Sequence, residues 1–152
     1  GHFEGVIDVM DRLTNLINPK KIFMGEKDFQ QLHLVRNYLK NRSKSKIISC
    51  KTIRDNYNLA LSSRNLLLNN KELNIARKIS NNLSNFKRNI INKRNINKLI
   101  SLKINELNNL KNIKVEYLEL RNKFTLGKTF KTKNSKIFIA YYIKKIRLID
   151  NF

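Results

Sequence analysis

Gly25 to Leu32 has the sequence Gly-Glu-Lys-Asp-Phe-Gln-Gln-Leu, and the prediction of the fold begins from this segment. It follows a short apolar run, and Lys21 to Met24 is typical of a short buried strand. Beyond the turn, apolar residues recur at three- and four-residue spacing as far as Leu39, which predicts a helix with one apolar face. The sequence therefore predicts a strand, a glycine turn and the N-terminus of a helix.

The residues at this turn suit a nucleotide. A helix N-terminus presents unpaired N–H groups and the positive end of the helix dipole, and Gly25 lets a ligand approach the backbone closely. Lys27 adds a mobile cation for a phosphate, and the Asp28 carboxylate is suited to accept hydrogen bonds from ribose hydroxyls. The alternative is that Asp28 is only an N-cap and Lys27 a solvated side chain. The residue types alone leave both interpretations open.

The flanking segments predict a parallel sheet that lacks neighbours. Apolar spacing indicates a first amphipathic helix, carried by Phe3, Val6, Ile7, Met10, Leu13 and Ile17. Asn18 and Pro19 end it, and a second strand is expected at Ile47 to Cys50, so the order strand, helix, strand implies a parallel pair. No strand precedes this unit and Gly1 is not an initiator residue, so we expect the chain to be part of a longer protein.

The second half of the chain predicts a separate small α+β region. Thr52 to Asn65 is polar and irregular, and we place the domain boundary there, with domains at 1–54 and 55–152. Asn69 and Glu72 form a capping-box pattern before one helix, and a second helix follows over Ile96 to Leu107. A small antiparallel sheet is then indicated by period-two faces at Val115, Tyr117 and Glu119, at Phe138, Ala140 and Tyr142, and at Ile146 and Leu148.

The charge of the chain leaves a nucleic-acid partner as the alternative function. The formal net charge is +21, and lysine and arginine neutralise phosphates. The lysines, however, lie on almost every segment, no basic stripe alternates with aromatic residues, and the excess of Lys accompanies an excess of Asn and Ile, as an AT-rich genome would produce. We therefore favour a solvated basic surface and no nucleic-acid partner.

The remaining composition favours a cytoplasmic protein that does not bind membranes. Cys50 is the only cysteine, so no intrachain disulfide can form, and its place at the end of a strand predicts a buried small hydrophobe. No apolar run approaches the roughly 18 residues that span a bilayer. We expect a cytoplasmic location.

A second candidate site lies at Leu59 to Asn65, Leu-Ala-Leu-Ser-Ser-Arg-Asn. Two hydroxyls and a guanidinium stand side by side here, and all three donate to phosphate oxygens. Alone, such a string is more often an ordinary loop, because serine and asparagine are common turn residues. Together with Gly-Glu-Lys-Asp, it favours a phosphate-binding segment.

With these motifs in place, the chain resembles the pantoate–beta-alanine ligase family, the pantothenate synthetases. The resemblance covers the whole chain in order, through Gly1-His2-Phe3-Glu4-Gly5-Val6, Gly25 to Leu32, Thr52-Ile53-Arg54, Ser62-Ser63-Arg64-Asn65 and Arg147-Leu148-Ile149-Asp150-Asn151. It implies the end of a Rossmann-like nucleotidyltransferase domain followed by a small α+β lid domain with an antiparallel sheet. The family's His-x-Gly-His motif, most of its pantoate pocket and its acidic magnesium-site residues would precede residue 1, so we expect the 152-residue chain alone to be inactive.

The resemblance implies an ATP-dependent ligase that condenses pantoate with beta-alanine through a pantoyl adenylate, with Mg²⁺ assisting, in a homodimer. Carried over by motif, Gly25 and Asp28 would hold the ribose, Lys27 the phosphates, Gln31 a pantoate oxygen, Ile53 and Leu61 the adenine side, and Ser62, Ser63 and Arg64 the triphosphate. His2 would lie near the pantoate and phosphate site, and no residue of the chain is assigned to the metal. A related nucleotidyltransferase with another acceptor remains an alternative, because the pantoate pocket is largely absent.

Three positions near the second candidate site depart from the family pattern. The family usually has Asp-Gly before Leu-Ala, and here the pair is Tyr57-Asn58. Asn tolerates a positive φ better than most residues, so Asn58 is expected to keep the turn. Tyr57 removes a carboxylate. Leu61 stands where the family commonly has Met.

Overall fold

A computed structural model describes residues 1–91 and 93–152. The helices are α1 (His2–Ile17), α2 (Phe29–Leu39), α3 (Asn70–Asn89) and α4 (Ile96–Asn108). The strands are β1 (Lys21–Gly25), β2 (Lys46–Cys50), β3 (Ile113–Asn122), β4 (Ser135–Ile143) and β5 (Ile146–Asn151). Two short 3₁₀ turns lie at Glu26–Asp28 and Ser63–Leu67. The chain divides into two compact units, Gly1–Thr52 and Ile53–Phe152. The assignment of these segments to two domains, with a boundary after residue 54, stays a prediction.

The first unit is the predicted strand, helix and strand. β1 and β2 pair in parallel, with Ile22 opposite Ile47, and α2 forms the crossover that a parallel pair requires. α1 packs on α2. Asn18 ends α1 in the left-handed conformation, where its N–H bonds the carbonyl of Thr14. The predicted α/β fold class is confirmed, in a parallel pair followed by a separate antiparallel sheet.

Burial in the first unit is concentrated on the inner face of α2. Leu32, Val35 and Leu39 are each at most 1% exposed. Neither strand has a buried residue, and Phe23 is 66% exposed. The prediction of a buried strand at Lys21 to Met24 is therefore wrong, because a strand is buried only where other layers cover both of its faces.

Cys50 is a second correction. The sequence predicts a buried small hydrophobe at this position, and the thiol is exposed. It lies at the last position of β2, opposite Gly25, whose lack of a side chain gives it little to pack against. The position of a residue in an apolar run does not decide its burial when the covering layer is thin.

The second unit has a closed core between two helices and a sheet. β4 is the central strand and pairs antiparallel with β3 and β5, as predicted. Its residues Ile137, Ile139 and Ile143 are at most 1% exposed, and they share one hydrophobic cluster with Ala76, Ile79 and Leu83 of α3 and Leu107 of α4. The predicted capping box of α3 is confirmed, since Asn69 accepts from the Glu72 N–H at 3.0 Å and Glu72 accepts from the Asn69 N–H at 2.9 Å.

The predicted face of β3 is wrong in part. The pairing shifts by one residue between Val115 and Tyr117, so a β-bulge lies at Glu116. Beyond the bulge the core receives Leu118 and Leu120 instead of Tyr117 and Glu119. An inserted residue moves every later side chain to the opposite face. In β4 the odd-numbered residues join the core, while Phe138 and Ala140 are buried on the other face.

Candidate nucleotide-binding site

The turn after β1 has the predicted local structure. Gly25 ends the strand, Glu26–Asp28 form a 3₁₀ turn, and α2 begins at Phe29. Gly25 has an ordinary extended backbone (φ −72°), so the turn does not need glycine for its dihedral angles. A Cβ at Gly25 would meet nothing within 4 Å, which leaves open space over this stretch of backbone. A ligand atom can therefore approach the strand end.

Asp28 is at the N-cap position of α2, but its side chain accepts no capping hydrogen bond. The carboxylate is exposed, and Lys27 beside it is half-buried. The interpretation of Asp28 as only an N-cap therefore loses its main support, because a side-chain cap is recognised by that hydrogen bond.

The structure brings His2 and Gln31 together in the first unit. Both line an open cleft of about 490 Å³ between α1 and α2, whose walls also include Val6, Val9 and Met10. One imidazole and one amide over an apolar wall suit a small ligand that carries both methyl groups and oxygens.

In the second unit, residues 53–61 form a closed loop within the segment that the sequence predicts to be irregular. Arg54 and Ala60 form an antiparallel bridge, and the N–H of Leu61 donates to the carbonyl of Ile53 at 2.9 Å. Ile53 and Leu61 thus end the loop side by side. Ile53 is 72% exposed and Leu61 53%, while Leu59 and Ala60 between them are 5% and 3% exposed. The loop therefore exposes the side chains of Ile53 and Leu61 to solvent, while Leu59 and Ala60 are buried.

The tip of the loop depends on residues that the sequence analysis did not identify. The Asp55 carboxylate accepts from the N–H groups of Tyr57 and Leu59, each at 2.9 Å, and from Arg77 Nε at 2.8 Å. Burial alone would raise the pKa of Asp55, but the hydrogen bonds from Arg77, Leu59 and Tyr57 outweigh it and lower the pKa. An Asp two residues before a turn is a recognisable Asx signal, which could have indicated this role.

The departures at Tyr57 and Asn58 have a local explanation. Asn58 has φ 67°, as expected for the residue that replaces glycine. The Arg77 guanidinium lies 4.4 Å from the centre of the Tyr57 ring, so the aromatic side chain gains a cation–π contact where the family usually has a carboxylate.

Ser62, Ser63 and Arg64 follow the loop directly and begin the 3₁₀ turn. Ser62 Oγ accepts from the N–H of Arg64 at 3.3 Å, and Arg64 Nη1 donates to the carbonyl of Arg147 at 3.2 Å. Asn65 Nδ2 donates to the carbonyl of Ala60 at 3.0 Å, which ties the turn to the loop. Ser63 and Arg64 remain exposed.

The predicted site residues thus form two groups, each within one unit. Gly25, Lys27 and Asp28 lie at one turn of the first unit, where His2 and Gln31 share a cleft. Ile53, Leu61 and the turn at Ser62 to Arg64 adjoin one another in the second unit. Within residues 1–91 and 93–152, no three His, Cys, Asp or Glu side chains are grouped to hold a metal ion. The ligand roles of these residues stay predictions.

Comparison with known proteins gives a consistent set of matches. A family profile for pantoate-beta-alanine ligase matches residues 1–152. The chain is 39% identical over 158 residues to a pantothenate synthetase of Campylobacter hominis and 36% identical over 155 residues to one of Flavobacterium psychrophilum. Each alignment covers 99% of this chain and 55% of the relative. The chain therefore spans about half the length of the curated relatives that it matches.

Solved structures agree with these matches. The pantothenate synthetase of Thermus thermophilus superposes with a TM-score of 0.88 at 27% identity, over all of this chain and 56% of that one. The pantoate-beta-alanine ligase of Francisella tularensis, complexed with beta-gamma ATP and beta-alanine, superposes with a TM-score of 0.76 at 33% identity, over 100% of this chain and 50% of that one. No helix in the described part of the chain combines the length and apolar character needed to cross a membrane.

Proposed function

This chain belongs to the pantoate-beta-alanine ligase family, and from that premise we propose that it is the C-terminal part of an ATP-dependent ligase that joins pantoate to beta-alanine. The proposal concerns a protein of the relatives' full length, since the chain covers 55% of them. The 152-residue chain alone is expected to be inactive.

One structural comparison gives the strongest support for this proposal. The Francisella ligase, complexed with beta-gamma ATP and beta-alanine, matches this chain over its entire length at 33% identity. Both candidate groups of residues therefore belong to a fold that holds a nucleotide and beta-alanine in that relative.

In the proposed site, each residue type suits its part of ATP. Gly25 and Asp28 hold the ribose, because the backbone there is open and the carboxylate makes no cap bond. Lys27 binds the phosphates as a mobile cation. The exposed apolar pair Ile53 and Leu61 contacts the adenine ring, whose flat faces favour apolar contact.

The turn at Ser62, Ser63 and Arg64 binds the triphosphate. Hydroxyl and guanidinium groups donate hydrogen bonds to phosphate oxygens, and a guanidinium can donate two in parallel. Arg64 keeps further donors beyond its contact with the Arg147 carbonyl, because a guanidinium carries five N–H groups.

Pantoate is assigned to the cleft between α1 and α2. Gln31 donates to a pantoate oxygen and His2 lies near its carboxylate and the phosphates, while Val6, Val9 and Met10 face its two methyl groups. This division of polar and apolar groups matches a branched hydroxy acid.

The proposed reaction has two steps. A pantoate carboxylate oxygen attacks the α-phosphorus of ATP, forming pantoyl adenylate and releasing pyrophosphate, and the beta-alanine amine then attacks the acyl carbon and releases AMP. Both steps need charge neutralisation and in-line positioning more than a protein nucleophile. Lys27 and Arg64 supply the positive charge from this chain. Mg²⁺ would neutralise further phosphate charge, and no residue of this chain is assigned to hold it.

The remaining assignments follow the family and are proposed with it. The partners are the small molecules pantoate and beta-alanine, the complete enzyme is a cytoplasmic homodimer, and neither nucleic acid nor a membrane is a partner.

The test is product formation by the full-length protein with one component omitted at a time. We expect pyrophosphate only when ATP, pantoate and Mg²⁺ are all present, and pantothenate with AMP only after beta-alanine is added. Pyrophosphate release that does not depend on pantoate would contradict the assigned substrate and favour another acceptor. DNA affinity that falls steeply between low and moderate salt, with no ATP-dependent reaction, would favour the nucleic-acid alternative.

A further inference from the structure

Arg54 connects two sequence motifs through Asp150, and neither of these two residues has a role in the proposed chemistry. Its Nη1 and Nη2 donate to the two carboxylate oxygens of Asp150 at 2.7 and 2.9 Å. The two residues are 96 positions apart in the chain, in Thr52-Ile53-Arg54 and Arg147 to Asn151. The Arg54 side chain is 21% exposed and that of Asp150 is 7% exposed. This is a two-pronged ion pair largely removed from water.

The remaining contacts of Arg54 fix the loop itself. Arg54 Nη1 also donates to the carbonyl of Asn58 at 3.0 Å, and Nη2 to the carbonyl of Asn151 at 3.0 Å. The guanidinium lies 4.9 Å from the centre of the Phe152 ring. One side chain therefore joins the start of loop 53–61 and the Asn58 carbonyl to β5. Lysine could not reproduce this arrangement, because it lacks the planar fork that reaches four oxygens at once.

α3 holds the tip of the same loop from a second direction. Ser80 Oγ donates to the carbonyl of Asn58 at 2.6 Å, and Asn81 Nδ2 donates to the carbonyl of Tyr57 at 3.0 Å. Arg77 binds Asp55 at 2.8 Å. The tip rests on a helix while its base is held on a strand, so contacts within the protein define the position of the loop.

β5 also holds the turn that follows the loop. Arg64 Nη1 donates to the carbonyl of Arg147, and the Arg147 side chain donates to both Glu116 oxygens at 2.7 and 3.0 Å. The two candidate nucleotide-binding segments of the second unit therefore rest on the same strand.

We propose that Arg54 and Asp150 are positioning residues, whose ion pair holds the loop that presents Ile53 and Leu61, and the turn at Ser62 to Arg64, in the geometry that receives ATP. The inference rests on the proposed function, because it takes ATP as the ligand. Neither residue contacts the nucleotide. They act through the loop, and rigidity before binding reduces the entropy that binding would otherwise cost.

A positioning role and a purely stabilising role for the Arg54–Asp150 pair predict different effects on ligand binding. A buried ion pair adds little net stability compared with well-packed apolar residues, so its stability effect alone would not distinguish it from other pairs. Displacement of the loop, in contrast, would weaken ATP binding and leave the affinity for beta-alanine unchanged.

The test uses Arg54→Lys in the full-length protein, with Arg121→Lys as a matched control. Arg121 is 26% exposed, pairs with Glu119 and donates to the Leu126 carbonyl, but it lies on β3 and these contacts do not involve loop 53–61. We expect Arg54→Lys to raise the KM for ATP by about 10- to 100-fold, the scale of a displacement near 1 Å, with little change in the KM for beta-alanine. Arg121→Lys should leave both values near wild type.

Hydrogen exchange without ligand supplies an independent readout. The N–H groups of Leu59 and Leu61 should be protected in the wild-type protein and in Arg121→Lys, and should exchange faster in Arg54→Lys and Asp150→Asn. An unchanged KM for ATP in Arg54→Lys, or an equal rise in Arg121→Lys, would overturn the positioning role while leaving the ligase proposal intact. A wild-type protein that binds no ATP would overturn both.

Discussion

The two sheets of this chain both contain isoleucine-bearing strands, but they differ in how those strands are covered. β4 is buried on both faces, with Ile137, Ile139 and Ala140 fully inaccessible. β1 and β2 have no buried residue, and Phe23 at the centre of β1 is 66% exposed. An apolar strand sequence therefore forms a core only where helices and neighbouring strands cover it.

The difference also separates the two groups of site residues. Ile53, Leu61 and the turn at Ser62 to Arg64 lie on a unit with its own closed core. Gly25, Lys27 and Asp28 lie at the carboxyl end of a two-stranded sheet, which is where ligands bind in open α/β sheets. The site residues of the second unit are held by contacts within that unit. Those of the first unit lie on two strands that other elements cover only in part.

The largest expected effect is on folding of the separated units. Residues 53–152 should unfold in one cooperative transition, because their helices and sheet share one core. Residues 1–52 should show no cooperative transition, since their strands leave apolar surface exposed. Thermal melts followed by circular dichroism check both peptides, and a sharp transition for 1–52 would remove the contrast between the units.

Truncation of one strand residue in each unit should give the next largest contrast, in the free energy of unfolding. Ile139→Ala should lower the free energy of unfolding by about 2–5 kcal/mol, because it leaves a cavity in a closed core. Phe23→Ala should change it by only about 0.5 kcal/mol, as is usual for exposed positions. Urea denaturation measures both variants of the 152-residue chain, and equal losses would show that β1 is covered after all.

Helix caps supply a smaller contrast. Asn69→Ala should cost about 1 kcal/mol, because the side chain caps α3 and completes the capping box. Asp28→Ala should cost less, since Asp28 stands at the N-cap of α2 without a side-chain bond. The same denaturation experiment compares them. A larger loss in Asp28→Ala would indicate a structural role for the carboxylate and weaken its assignment to ribose.

A pH dependence of stability is also expected for the second unit. Burial lowers the pKa of Lys87 to about 8, while Nζ donates to the carbonyls of Ser135 and Phe152 at 3.0 and 2.7 Å. The unfolded chain then binds more protons than the folded one between pH 8 and the ordinary lysine value of 10.5, so stability should rise with pH in that window. Lys87→Met should flatten the rise, and exposed Lys71→Met on the same helix should preserve it. The free energy of unfolding, measured against pH for the wild type, Lys87→Met and Lys71→Met, tests this prediction.

The helices and strands could be predicted because their signals are local. Apolar spacing and the Asn69 and Glu72 pattern identified α3 from neighbouring residues. The faces of β3 could not be predicted past Glu116, because the bulge exists only in the pairing with β4. Exposure of Cys50 depends on what covers β2, which no local pattern records.

For the candidate site, the sequence motifs suggested Gly25, Lys27 and the turn at Ser62 to Arg64, and their ligand roles stay predictions. The sequence did not show the structure that holds them. The pair of Arg54 and Asp150 joins residues 96 positions apart, and charge patterns do not show which arginine meets which aspartate. The two motifs were visible, whereas their connection required the fold.

We propose that this chain supplies groups that bind the phosphates of ATP, and pantoate-dependent pyrophosphate release by the full-length protein is the measurement that decides it. Lys27→Ala in the first unit and Arg64→Ala in the second should each slow the release by about 100- to 1,000-fold, the usual loss when one preorganised donor is removed from developing charge. Lys71→Ala and Arg121→Lys serve as controls and should stay near the wild-type rate. If either Lys27→Ala or Arg64→Ala retains a rate within about threefold of wild type, that residue does not bind the phosphates of ATP as proposed.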